Sequence, residues 1–527
     1  MDLDEALRSA KAERKPSRKK SDAVPADVSH DSKTLPVSSP FPVPSETGEK
    51  VLVESYGDVH IYKEEGEPLY WYEIPAPHLR GEEKALISTL LEIASGVIGE
   101  AEGLTESQKR TKYLEKILQI IEATPELKVP IHAKQFYAEA VVKEMVGYGL
   151  IDPLLQDESL EEIMIIGPKR PVFVFHRKYE MMKSNIIFYE DRDIRNLIDK
   201  MARSIGRRID IQAPLLDARL PDGSRVNATI APASIDGSTL TLRKFRKDPL
   251  TVIDLMNSGT VSLELAGFLW LISDGLGAKP ANILVAGGTA CGKTTTLNVL
   301  ASFVPLDERI ISIEDTAELN LPLEHWIRFE VRPSSAEGTG EINMDTLVKN
   351  SLRMRPDRVI VGEIRGAEGF TMFTAMNTGH HGCMGTVHSN SADETIVRLG
   401  APPISVSPVM LNALNFVVMQ HRIHDRRKGV IRRMTEVAEV IPGGKSGPTV
   451  QDIFRWDPAK DEILPTGSTS HFLQEIASFS GLTLKDIEED IEERKRILAE
   501  LQQKGFRSHR EVCDVTQSYI LKKRGRI

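Results

Sequence analysis

Eight consecutive residues, Gly287, Gly288, Thr289, Ala290, Cys291, Gly292, Lys293 and Thr294, carry the pattern G-x-x-x-x-G-K-[ST]. Glycines let backbone N–H groups turn inward around phosphate oxygens, and a helix start adds partial positive charge. The Lys293 ammonium suits the β- and γ-phosphates of ATP, and the Thr294 hydroxyl suits Mg2+. Thr295 follows in the same helical turn. Context separates this loop from an ordinary glycine-rich turn: the apolar run 282–286 enters it and a helix-compatible run, 295–303, leaves it.

Three more chemically able groups follow short apolar runs. Glu314 and Asp315 follow 309–313, Glu363 follows 359–362, and His388 follows 384–387. Such runs read as parallel strands buried on both faces. In an open parallel sheet, ligands collect at the carboxyl ends of the strands. Lys293, Glu314, Glu363 and His388 are therefore the candidate catalytic set, with Thr294, Glu314 and Glu363 as candidate Mg2+ ligands. One carboxylate can hold the metal's water shell while another orients or deprotonates the attacking water. The sequence does not assign these roles between the two glutamates. His380, His381 and Cys383 lie close by, but their spacing fits no standard zinc pattern. Cys291 sits in the loop beside a helix start, which favours thiolate and predicts a reactive residue.

The elements that must position these groups call for an α/β fold in several domains, since 527 residues exceed one hydrophobic core. Residues 1–48 form a basic, Pro/Ser-rich arm, with Lys11, Arg14, Lys15, Arg18, Lys19 and Lys20 in its first part. Such a stretch buries too little apolar surface to order itself. It reads as a tether or as an arm for anionic lipid. Residues 49–247 read as an N-terminal domain, with a strand at 70–74, a mainly helical stretch at 82–149 and an α/β part from Glu162. Runs 163–166 and 172–175 flank Gly167-Pro168 as a hairpin. Residues 248–440 alternate strand and helix as an ATPase core. Residues 441–527 read as a helical region, with capping boxes at Thr483/Asp486 and Ser508/Glu511. Ile487, Ile491, Leu498 and Leu501 line one face of its longer helix. The absence of an apolar leader and the three scattered cysteines point to the cytoplasm.

The blocks GGTACGKTTT, ISIEDTAELN, LRMRPDRVIVGEIRG and TGHHGCMGTVHSN, in this order, resemble the Walker A, aspartate, Walker B and histidine boxes of the type II/type IV secretion ATPase superfamily. Gly362 stands where most P-loop enzymes carry the Walker B aspartate, a departure the superfamily shares. Within it, FTAMNTGHHGCMGTVHSNSADETIVRL and APPISVSPVM resemble the archaellum motor ATPases, as do GYGLIDPLLQDESLEEIMIIG and PLLDARLPDGSRVNATIAP upstream. The resemblance spans about 147–440. Cys291 stands where those enzymes more often carry a small serine-like residue. The resemblance implies a RecA-like ATPase domain in a homohexameric ring. It implies Arg219, Arg225 and Arg243 as arginines of the N-terminal domain that reach nucleotide. It also implies docking beneath a polytopic membrane platform protein, with accessory archaellum motor proteins, at the inner face of the cell membrane.

Two other readings compete. A pilus-assembly or secretion ATPase of the same superfamily shares all this chemistry. A nucleic-acid translocase would need a basic, aromatic-lined groove. Arg422, Arg426, Arg427, Lys428, Arg432 and Arg433 are the one basic stretch of the core, and they read better as a charged hairpin tip. The net charge of −9 also argues against bulk nucleic-acid binding.

Overall fold

Short β-rich runs between Lys50 and Arg243 pair into one nine-stranded sheet of order β1-β2-β3-β6-β5-β4-β9-β8-β7. The strands are β1 Lys50–Tyr56, β2 Val59–Glu64, β3 Tyr70–Glu73, β4 Leu160–Ile166, β5 Pro171–His176, β6 Glu180–Ile187, β7 Leu215–Arg219, β8 Arg225–Thr229 and β9 Thr239–Arg243. This computed structural model describes residues 50–75, 81–98, 106–246, 248–332, 334 and 339–525. The arm at 1–48, with its tether and lipid readings, lies outside them.

The chain divides into two compact units between Phe245 and Arg246. In the first, the turn between β4 and β5 needs Gly167. Its φ is +107°, and a Cβ there would stand 2.8 Å from the Asp236 carbonyl oxygen. The helix Asp191–Ser204 buries Ile194, Leu197, Ile198 and Met201, a stripe at helical spacing. That stripe joins Ile163, Val174 and Leu242 of the sheet in one core. The helices Gly81–Val97, Glu106–Ala123 and Lys134–Val146 form a separate core around Leu90, Ile117 and Val141. Three strands precede these helices: β3 is the strand expected at 70–74, and β1 and β2 add to it.

The second unit holds another nine-stranded sheet, ordered β12-β11-β13-β14-β10-β15-β16-β17-β18. Its strands are β10 Ile283–Gly287, β11 Ile310–Glu314, β12 Trp326–Glu330, β13 Arg358–Ile364, β14 Met384–Val387, β15 Phe416–Asp425, β16 Gly429–Ile441, β17 Thr449–Asp457 and β18 Glu462–Pro465. Strands β10 to β15 pair in parallel, and β15 to β18 pair antiparallel. The inner parallel strands β10, β11 and β14 are buried along their whole length because both faces are covered, whereas β12, at the edge, is partly exposed. Ile283, Val285, Phe416 and Val418 face one core, and Leu284, Ala286, Val417 and Met419 face the other. The expected α/β class with a RecA-like core is thus the observed one.

The region 441–527 is not helical throughout. β17 and β18 first extend the sheet, because TVQDIFRWD pairs along β16 with only part of its length buried. Helices then follow at His471–Ser480, Leu484–Gln503 and His509–Lys523. Thr483 and Asp486 form the expected capping box. Ser508 makes no such side-chain bond. Asp248 instead accepts the His509 backbone N–H at 3.1 Å, which meets the need of that helix start differently. Ile487, Leu498 and Leu501 are buried, and Ile491 packs on the same core.

Candidate active site

β10 delivers the chain into the phosphate loop through Gly287, with φ +151°. A Cβ there would stand 2.1 Å from the Gln420 carbonyl oxygen, so no other residue fits. Ala290 holds φ +57° at the loop crown, a left-handed conformation that costs an L-residue about 1 kcal/mol. The helix Lys293–Ser302 starts behind Gly292 with no side-chain cap. Backbone N–H groups at such a helix start suit an anionic ligand. Lys293 is buried and donates from Nζ to the carbonyls of Gly287 at 3.0 Å and Gly288 at 2.8 Å. Burial lowers its pKa. Thr289 and Ala290 are exposed at the tip, and Thr294 and Thr295 are half-buried in the first helical turn.

Cys291 departs from expectation. It is 1% exposed, and burial raises its thiol pKa despite Lys293 and the helix start. The predicted thiolate is corrected to a buried, protonated thiol, because desolvation outweighs the local positive field.

Glu314 closes β11 and is 2% exposed. Its Oε2 accepts the backbone N–H groups of Glu318 at 2.8 Å and Leu319 at 2.9 Å. Its Oε1 has no hydrogen-bond partner among the described residues. Burial pushes its pKa up to about 7 against those two bonds. Gly362 accounts for the missing aspartate: a Cβ there would lie 3.0 Å from Glu314 Cγ.

Glu363, on β13, sits 2.6 Å from Arg365 Nη2 and 3.0 Å from His388 Nε2. Burial acts to raise its pKa, but the Arg365 hydrogen bond and the charges of Arg365, His388 and Lys293 prevail and lower it. His388, just past β14, is lowered by burial and then by Lys293. Arg365 also lies 3.6 Å from the exposed Asp315. Lys293, Glu363 and His388 thus share one field at the carboxyl ends of β10, β13 and β14, and Glu314 closes the strand beside Glu363's own. An Mg2+ ion prefers oxygen ligands. The Thr294 hydroxyl, the unengaged Glu314 Oε1 and Glu363 fit that preference.

Arg219, Arg225 and Arg243 belong to the first unit and form one row across three strands. Arg219 pairs with Arg225, and Arg225 with Arg243. Like charges directly opposite one another destabilise a sheet. Asp217 offsets part of that cost, accepting from Arg225 at 3.0 and 2.8 Å. Arg219 lies over the Phe245 ring.

Two residues of the site escaped the sequence reading. Arg432, expected at a charged hairpin tip, donates from Nε to the Ala290 carbonyl at 3.1 Å. Gln420 packs behind the loop. Its signal was a lone polar residue closing the apolar run 416–419.

A glycine loop, a buried lysine at a helix start and two acidic strand ends come together at the carboxyl edge of the second sheet. The chain belongs to the type II/IV secretion system protein family, whose pattern its residues 144–439 match. An uncharacterized protein of Methanocaldococcus jannaschii is 32% identical, over 70% of this chain and 75% of that protein. A putative conjugal transfer protein of Mycobacterium tuberculosis is 35% identical, over 49% of this chain and 73% of its own. The VirB11 ATPase of the Brucella suis type IV secretion system, solved with sulphate, is 25% identical; 54% of this chain and 90% of that one align, with a TM-score of 0.28. Among the described residues, no helix is long and apolar enough to cross a membrane.

Proposed function

We propose that the chain hydrolyses ATP with Mg2+ to drive a membrane-bound filament machine, and that the machine is the archaellum. The observation that carries the ATPase reading is the shared field of Lys293, Glu363 and His388 beside the buried Glu314. Lys293 can exchange its two loop carbonyls for phosphate oxygens without moving its backbone. Glu314, with one oxygen unengaged and a pKa near neutrality, suits the base that takes a proton from the attacking water. Glu363, fixed by Arg365 and His388, suits the group that orients that water. Thr294 and Glu363 would hold Mg2+, which would supply positive charge against the phosphates.

Transition-state charge on the γ-phosphate calls for an arginine. Arg365 is committed to Glu363 and Asp315. The row of Arg219, Arg225 and Arg243 is the better source, supplied by a neighbouring subunit of a homohexamer. Each single Ala variant is expected to bind ATP yet turn over slowly. Mixing such a variant with Lys293→Ala should restore some phosphate release, since mixed rings hold some intact composite sites. Normal turnover in all three variants would remove the N-terminal unit from the chemistry.

The archaellum assignment rests on the resemblance of 147–440, and it places the ring at the inner membrane face beneath a platform protein. A pilus or secretion role is the second reading, favoured by relatives described as conjugal transfer proteins. Deleting the gene in its host separates the two. Loss of swimming with pili and secretion intact supports the first, and the reverse pattern supports the second.

A further inference from the structure

Gln420 is 1% exposed and lies on the sheet face that meets the helix Lys293–Ser302. Its neighbours on that face are Phe416 and Val418, so the strand pattern calls for an apolar residue there. A buried primary amide carries a desolvation cost that needs a compensating role. Three contacts converge on it. Its Oε1 accepts the Thr296 hydroxyl at 2.6 Å, one turn into the helix that leaves the loop. Its Nε2 has no hydrogen-bond partner among the described residues and stands 2.8 Å from where a Cβ of Gly292 would project. Its main-chain oxygen stands 2.1 Å from where a Cβ of Gly287 would project. One residue therefore fills the space left by both outer glycines of the loop and ties down the helix behind them.

The backbone supports the same aim. Gln420 pairs with Gly287 across β15 and β10. On its other side the ladder slips: Met419 faces Glu436 while Gln420 faces Met434, leaving Thr435 as an extra residue. Such bulges re-aim side chains beside functional sites. Thr435 is held by His421 Nδ1 at 2.7 Å.

We infer that Gln420 is a positioning residue for nucleotide binding, which holds the phosphate loop and the first turn of its helix in their binding geometry without touching the nucleotide. This rests on the ATP reading of the loop. Backbone N–H groups grip phosphate alike in substrate and transition state, so loosening them removes uniform binding. Gln420→Met keeps length and removes the amide. In the full chain with Mg·ATP it is expected to raise KM roughly tenfold with kcat changed less than about threefold. Thr296→Val, which removes the same hydrogen bond from the other end, should act alike, and Thr296→Ser should restore the wild-type KM. The double variant should be no worse than either single one, since both delete one interaction. A fall in melting temperature with unchanged KM in Gln420→Met and Thr296→Val would mark a merely structural residue and overturn the inference. A loss confined to kcat would also overturn it. Should Gln420→Met fail to fold, the Thr296 pair decides by the same criteria. Wild-type protein that binds no Mg·ATP would overturn both this and the ATP reading, whereas wild-type binding with an unshifted KM in the variants overturns this inference alone.

Discussion

Lys293→Ala is expected to reduce phosphate release by more than about a hundredfold and to weaken ATP binding as well. The cation is the group at the loop best placed to offset phosphate charge, and it is already desolvated. It is pre-positioned too, since its two present acceptors, the carbonyls of Gly287 and Gly288, belong to the loop itself. Steady-state phosphate release and titration with a fluorescent ATP analogue read the two effects separately. Circular dichroism checks that the loop carbonyls, left without their donor, have not cost the fold. Turnover near the wild-type rate in the pure variant would remove the P-loop assignment.

The second large effect separates binding from chemistry. Glu363→Gln keeps the side chain's shape and removes the charge that faces Arg365, His388 and Lys293. ATP affinity is expected to stay within a few-fold of wild type, because the loop that grips phosphate is untouched. Turnover should fall by about a hundredfold or more, the contribution of a group that orients or activates water. A parallel loss of both would mean that Glu363 serves the fold, as the hub of its pairs with Arg365 and His388, and not the reaction.

The phosphate loop was legible because its information is local: eight residues between an apolar strand and a helix. The acidic strand ends were legible for the same reason, since Glu314 and Glu363 each follow a short buried run. What the sequence hid depends on contacts distant along the chain. Gln420 lies more than a hundred residues beyond the loop, and only strand pairing brings it beside Gly287. Arg432 looked like solvated charge because only the folded hairpin brings it to Ala290. The Cys291 error has one cause: burial, which the sequence does not show, reverses the sign of a shift that neighbouring charges alone set correctly. Ser508 likewise had the spacing of a cap, but tertiary packing supplied Asp248 instead. The three arginines could be named from 219–243, whereas their alignment in one row follows from strand pairing.

The central claim is that this site hydrolyses ATP, and inorganic phosphate release from Mg·ATP by the full-length chain tests it most directly, with Lys293→Ala and Glu363→Gln purified in the same way. The account predicts repeated turnover by the wild type, dependent on Mg2+, and near-background release by both variants, with ATP still bound by Glu363→Gln. Phosphate release that survives in Lys293→Ala, or ATP bound by the wild type without any release, would contradict it.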